Sequence, residues 1–155
     1  MSKTWIIIAN SSKAIIYETH LTKLFIPNGH DETNLKLIAN FSHAASRKKA
    51  SELISDRAGR YQFGTKGHGA YQQATDPKYH QAELFARELV NILNTGRNNA
   101  AYDYLIIVAN PPFQGLLNKY LQQHNDLIRM VSQRIEKDYT QLQGRQLVAQ
   151  LRDHL

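Results

Sequence analysis

The chain has 155 residues and a mass of 17.7 kDa, with 42% hydrophobic residues and four prolines, which fits one globular domain and excludes a disordered chain. The formal net charge of +6 and the pI near 9.6 favour polyanionic partners such as nucleic acid, a ribosomal surface or anionic lipid. The absence of cysteine excludes disulfides, thiolate metal sites and a cysteine nucleophile.

The first apolar run, residues 5–9, is too short for the apolar core of a signal peptide and far too short to cross a membrane. We therefore expect no membrane insertion and a cytoplasmic location. The same run is β-branched and ends at Asn10, and a second run follows at residues 14–18. After a turn signal at Pro27, residues 35–41 alternate between apolar and polar. These patterns predict three antiparallel strands, with the first near the centre of the sheet.

Helices are predicted on either side of a glycine-rich segment. Residues 42–56 carry a weak helical spacing, whereas Asp76 and Pro77 are an N-cap and a first-turn residue of a much clearer helix. One apolar stripe follows Pro77, and Gly96 is predicted to stop the helix. The stripe consists of Ala82, Phe85, Ala86, Leu89, Ile92 and Leu93.

The C-terminal part of the chain predicts a second central strand at residues 105–109, because an uninterrupted apolar run is typical of a strand buried on both faces. Asn110, Pro111 and Pro112 break the chain, and an amphipathic helix follows around residues 116–121. Residues 127–135 are predicted to be a strand and residues 142–155 a helix. The sequence thus predicts one α/β domain over residues 1–155, with a mixed β-sheet flanked by helices.

Residues 57–76 form a basic, glycine-rich segment that we interpret as a loop. Its glycines permit positive φ angles and a close approach to another surface, and they are Gly59, Gly64, Gly67 and Gly69. Positive charge surrounds them, on Arg57, Arg60, Lys66, His68 and Lys78. Aromatic rings are interleaved with these charges, at Tyr61, Phe63, Tyr71 and Tyr79.

Rings beside cationic groups suit single-stranded RNA, because bases stack on the rings while the cations contact phosphate. The arrangement predicts phosphate contacts from Arg57, Arg60, Lys66 and Lys78, stacking on Phe63 and Tyr71, and close approach at Gly67 and Gly69. An ordinary solvent-exposed connection with solubilising charges is the competing interpretation.

Other site chemistries find little support in the sequence. His43, His68 and His80 are scattered and lack the short spacing of zinc ligands, so we predict no metal and no cofactor. Glu136 and Asp138 form one close acidic pair, which is more typical of a solvated turn than of a nuclease centre. Neither a phosphate-cradling glycine motif nor a Gly-x-Ser-x-Gly elbow is present.

Several spaced motifs, in one order along nearly the whole chain, resemble the bacterial host-attachment protein family. They include Ser55-Asp56-Arg57-Ala58-Gly59-Arg60, Asp76-Pro77-Lys78, Phe85-Ala86-Arg87, Ala109-Asn110-Pro111-Pro112-Phe113-Gln114-Gly115-Leu116-Leu117 and Lys137-Asp138-Tyr139-Thr140. The resemblance implies a role in attachment to host cells. It also implies a fold like the middle domain of archaeal and eukaryotic peptide-chain release factors, which is ribonuclease-H-like.

In the release-factor domain a basic loop ending in Gly-Gly-Gln leads into a long helix and reaches the peptidyl-transferase centre of the ribosome. Residues 67–73 stand in a similar place before the helix at Pro77, but this chain has no Gly-Gly-Gln tripeptide. Gln72 is therefore the one weak catalytic candidate, and peptidyl-tRNA hydrolysis is not expected.

Three functional hypotheses follow. The first is an RNA-binding or ribosome-associated domain related to translation, without established catalysis. The second is an interaction protein that supports attachment to host cells through a component of the host-cell surface. The third is a scaffold that dimerises through an exposed helix, since the sequence leaves the oligomeric state open.

Overall fold

A computed structural model describes residues 2–24, 34–43 and 77–155. Five strands lie in these ranges: β1 (Thr4–Ala9), β2 (Lys13–Thr19), β3 (Lys36–Ser42), β4 (Tyr104–Ala109) and β5 (Val131–Ile135). Five helices accompany them: α1 (Leu21–Leu24), α2 (Pro77–Asn98), α3 (Pro111–Leu121), α4 (Asn125–Met130) and α5 (Gly144–His154).

The strands form one mixed sheet in the order β3-β2-β1-β4-β5. The pairs β1–β2 and β2–β3 are antiparallel, whereas β1–β4 and β4–β5 are parallel. The predicted α/β class, the mixed sheet, the three antiparallel opening strands and the central position of β1 beside β4 are confirmed. In β1 and β4 the register is unbroken from Thr4 opposite Tyr104 to Ala9 opposite Ala109.

Both faces of the two central strands are buried. Trp5, Ile7 and Ala9 belong to a core shared with α2 and α3, while Ile6 and Ile8 belong to a second core shared with α5. Each fully buried Ile or Leu contributes roughly 1.5–3 kcal/mol relative to an exposed one. The uninterrupted apolar runs therefore reflect a strand that has no solvent-facing side, as predicted.

Helix α2 continues past the residue that was predicted to end it. Gly96 is buried inside the helix, and a Cβ added there would lie 2.9 Å from the Trp5 ring and 3.0 Å from the Tyr102 ring. The glycine thus makes room for two aromatic rings and does not terminate the helix. After Asn98 the chain turns, and Ala100 adopts a positive φ of 55°.

The predicted strand over residues 127–135 is correct only in its second half. Residues 125–130 form α4, which buries Leu127, and β5 then begins at Val131. A short apolar run does not distinguish a helical turn from a strand, and here Asp126 and Arg129, three residues apart, lie within 3.6 Å on the helix. The final helix, α5, is confirmed.

Four sequence predictions lie outside the described residues: the turn at Pro27, the helix within residues 42–56 apart from Ser42 and His43, the loop at residues 57–76, and the Asp76 cap. In the described ranges, no helix is both long enough and apolar enough to cross a membrane.

Candidate functional site

The strongest polar cluster forms where the parallel strands end. In open α/β sheets this edge, at the carboxyl ends of the strands, is where ligands and partners usually bind. Asn10 follows β1 and Asn110 follows β4, so the paired ends of these strands bring the two asparagines to neighbouring positions. Residues 136–140 follow β5 at the same edge. We call this region the carboxyl edge.

Asn10 joins the first hairpin to the segment after β5. Its Oδ1 accepts hydrogen bonds from the backbone N–H of Ser12 (2.8 Å) and Lys13 (2.9 Å), which shapes the turn between β1 and β2. Its Nδ2 donates to Asp138 Oδ2 (3.2 Å) and to Thr140 Oγ1 (3.1 Å). One side chain therefore ties two distant parts of the chain together.

Asp138 is held as a carboxylate by donors that surround it. Burial alone would raise its pKa, but hydrogen bonds from the Thr140 hydroxyl (2.6 Å), the Thr140 N–H (3.0 Å) and Asn10 outweigh burial and lower the pKa. Another acidic residue, Asp103, lies just before β4 at the opposite end of the sheet, where it accepts from the N–H of Lys3. The two acids therefore do not converge.

The Asn110-Pro111-Pro112 sequence begins α3, in addition to ending β4. Asn110 is the N-cap, and its Oδ1 accepts from the N–H of Phe113 at 2.9 Å. The prolines occupy the first helical positions, where a missing N–H costs nothing. The N-terminus of α3 is thus fixed at the carboxyl edge.

Gln114 is a buried polar residue that the sequence analysis missed. It is 2% exposed, and its Nε2 donates to the carbonyl oxygens of Ile107 (3.4 Å) and Ile135 (3.3 Å), which bridges β4 and β5. Its Oε1 is buried without a partner among the described residues. The helical period of the sequence could have predicted this burial, because Gln114 stands three residues before Leu117 and seven before Leu121, on the buried stripe of α3.

His43 connects the end of β3 to the beginning of α2. Its backbone N–H donates to the Ser12 carbonyl (2.8 Å), its Nε2 lies 3.2 Å from Gln81 Oε1, and its ring stacks on Phe85 at 5.0 Å between centroids. His43 was considered as a metal ligand, and in the described part of the chain no group of three or more potential ligands is found. These contacts hold the end of β3 against the first turns of α2, beside the β1–β2 turn at the carboxyl edge.

Of the residues predicted to bind RNA, the structure describes Lys78, which is exposed in the first turn of α2 next to Tyr79. The remainder lie outside the described residues, as does the catalytic candidate Gln72. The predicted RNA-binding residues outside the described ranges are Arg57, Arg60, Phe63, Lys66, Gly67, His68, Gly69 and Tyr71. Lys78 follows the start of α2, one turn before the Gln81 side chain that contacts His43.

A comparison with curated proteins found no match. A family model described as "Protein required for attachment to host cells" matches residues 5–151, from β1 into α5. The match includes the central sheet, the carboxyl edge and the basic segment. The chain therefore belongs to the family of proteins required for attachment to host cells.

Proposed function

We propose that this protein supports the attachment of bacteria to host cells and that it does so as an interaction protein. The observation that carries the proposal is the family match over residues 5–151. The carboxyl edge offers a suitable surface, because Asn10 and Asp138 are held in place by hydrogen bonds to each other and to the buried Thr140. A surface that is rigid before binding loses less conformational entropy when a partner docks.

The proposal is tested by deleting the gene and counting adherent bacteria on cultured host cells. Adhesion should fall in the deletion strain and return when the wild-type gene is supplied. Unchanged adhesion in the deletion strain would contradict the proposal. Protease treatment of intact cells then distinguishes direct from indirect action, because a protein that contacts the host itself must be accessible at the surface.

A second candidate function is RNA or ribosome binding, favoured by the charge of the basic segment and by the position of the described residues on either side of it. His43 and Lys78 lie at the carboxyl edge on either side of segment 44–76. In this proposal Arg57, Arg60, Lys66 and Lys78 contact phosphate, and Phe63 and Tyr71 stack on bases. Gly67 and Gly69 allow close approach to the RNA, and His68 is among the basic residues around them. The release-factor-like, ribonuclease-H-like assignment of the fold is part of the same proposal, supported by the mixed sheet and by the basic segment before a long helix.

Salt titration of RNA or ribosome binding tests this second candidate. Arg60→Ala with Lys66→Ala should weaken binding to unrelated RNA sequences equally and reduce the salt slope by roughly one unit per lost phosphate contact. Tyr71→Ala should cost about 1–3 kcal/mol with little change in slope if a base stacks on the ring. The control Lys36→Ala removes a charge from the start of β3, at the opposite end of that strand from His43. Indistinguishable curves for all variants would contradict the RNA proposal and leave the adhesion result independent.

A further inference from the structure

A cavity of about 320 Å³ lies on the α5 face of the sheet, between the β2–β3 pair and the start of α5. This volume is at the lower end of the range of roughly 300–1,000 Å³ seen for small-molecule sites. Ile15, Leu37 and Leu147 contribute apolar surface to it, while Lys13, Tyr17 and Asn40 contribute polar groups. Lys13 connects the cavity to the carboxyl edge, because its backbone N–H donates to Asn10 Oδ1, while its side chain lines the cavity.

An irregularity in strand pairing creates this mixture of side chains. Ile15 lies opposite Asn40, but two residues further along β2, Tyr17 lies opposite Leu37, because the register shifts between Ile16 and Tyr17. In a regular strand, residues 37 and 40 would point to opposite faces, since side chains alternate. The extra residue, Ile38, turns Leu37 and Asn40 to the same face, as bulges beside binding sites often do.

The polar groups of the cavity suit one end of a ligand. Lys13 carries a positive charge, Asn40 offers an amide, and Tyr17 offers a hydroxyl that can donate a hydrogen bond. The apolar groups at Ile15, Leu37 and Leu147 suit the other end. Leu37 is 56% exposed in the described structure, so an apolar ligand would cover surface that now faces solvent.

We propose that this cavity binds a small amphipathic carboxylate, with the anionic head at Lys13 and the apolar body against Ile15, Leu37 and Leu147. Charge complementarity at Lys13 selects an anion over a neutral or cationic ligand of the same length. This inference does not depend on host attachment or on RNA binding, because it uses the side chains that line the cavity and neither the basic segment nor the side chains of Asn10, Asp138 and Thr140.

Titration of the full chain with sodium octanoate, followed by two-dimensional NMR of backbone amides, tests the proposal. We expect saturable shifts centred on Ile15, Leu37 and Leu147, and weaker binding of octanol. Lys13→Met keeps the aliphatic stem but removes the charge, and should weaken octanoate binding at least about tenfold because a charge-assisted hydrogen bond is lost. Octanol binding should stay within about twofold, since no such bond is involved.

Lys36→Met is the matched control, because Lys36 immediately precedes Leu37 on β3 and points to the other face of the sheet. It removes the same charge and should leave octanoate binding unchanged. Leu37→Ser, at a half-exposed position, should weaken octanoate and octanol alike. Non-saturable shifts, equal binding of octanoate and octanol, equal effects of the two lysine variants, or shifts centred elsewhere would each overturn the proposal.

Discussion

Asn10 and Asp138 are 128 positions apart in the chain, and the Asn10 Nδ2 donates to Asp138 Oδ2 at 3.2 Å. The contact joins the end of the first strand to the segment after the last strand. Since Asn10 also accepts two backbone N–H groups of the β1–β2 turn, the turn and the distant segment are positioned by one amide.

Asn10→Ala should lower the free energy of unfolding by about 2 kcal/mol, because it leaves several polar groups without their partner. Urea denaturation measures this change. Asn99→Ala, at an exposed site after α2, is the control and should change stability by less than about 0.5 kcal/mol. Equal effects of the two substitutions would show that the Asn10 network contributes nothing specific.

Asp138 should make stability depend on pH at the acidic end. The pKa of Asp138 in the folded protein lies below its value of about 3.9 in the unfolded chain. Its contribution to the free energy of unfolding is therefore present above the unfolded pKa and is lost as pH falls through the folded pKa. The stability difference between wild type and Asp138→Asn should therefore shrink in acid. In an NMR titration, Thr140→Val should raise the Asp138 pKa, because it removes the hydroxyl donor but keeps the N–H.

Gly96 and Gly115 provide a matched pair of helical glycines. Gly96→Ala should destabilise the fold by about 1–3 kcal/mol, because the new methyl group meets the Trp5 and Tyr102 rings at 2.9–3.0 Å. Gly115→Ala meets nothing within 4 Å and should stabilise α3 by up to about 1 kcal/mol. Thermal or urea unfolding would contradict the argument if both substitutions shifted stability in the same direction.

Gln114→Glu should destabilise the protein by about 2–5 kcal/mol at neutral pH, because a buried carboxylate would replace the amide that donates to two carbonyl oxygens. Burial should raise the pKa of the new carboxyl group. The loss of stability relative to wild type should therefore be greatest above the pKa of the new carboxyl group in the folded protein. It should decrease as pH falls toward the pKa of that group in the unfolded chain, about 4.3. Gln123→Glu, which is exposed, should show no such pH dependence.

Local sequence patterns predicted the parts of the fold that depend on the hydrophobicity and spacing of neighbouring residues. The runs in β1 and β4 have so few polar interruptions that only a strand buried on both faces accounts for them, and the stripe of α2 has a clear helical period. The predicted end of α2 was wrong. Gly96 makes room for the ring of Trp5, which is far from it in sequence, and for the ring of Tyr102, which lies beyond the end of the helix. The sequence alone does not distinguish a glycine that makes room for aromatic rings from a glycine that ends a helix.

The candidate site was less predictable, because it is assembled from long-range contacts. Asn10 could be assigned to a turn from Ser11 and Ser12 alone, but its bonds to Asp138 and Thr140 depend on the sheet order. Likewise, the stacking of His43 on Phe85 requires β3 to end where α2 begins. The RNA-binding residues of segment 57–71 stay predictions.

The parallel pairing of β1 with β4 also has a consequence for synthesis. Thr4 pairs with Tyr104, 100 residues later, whereas its antiparallel partner Thr19 is close by. Synthesis proceeds at about 5–20 residues per second, so roughly 5–20 s pass between the synthesis of β1 and the synthesis of β4. During that time an apolar strand with unpaired backbone groups faces solvent, which favours association with other chains. The strand most deeply enclosed in the finished protein is therefore the one most vulnerable while the protein is being made.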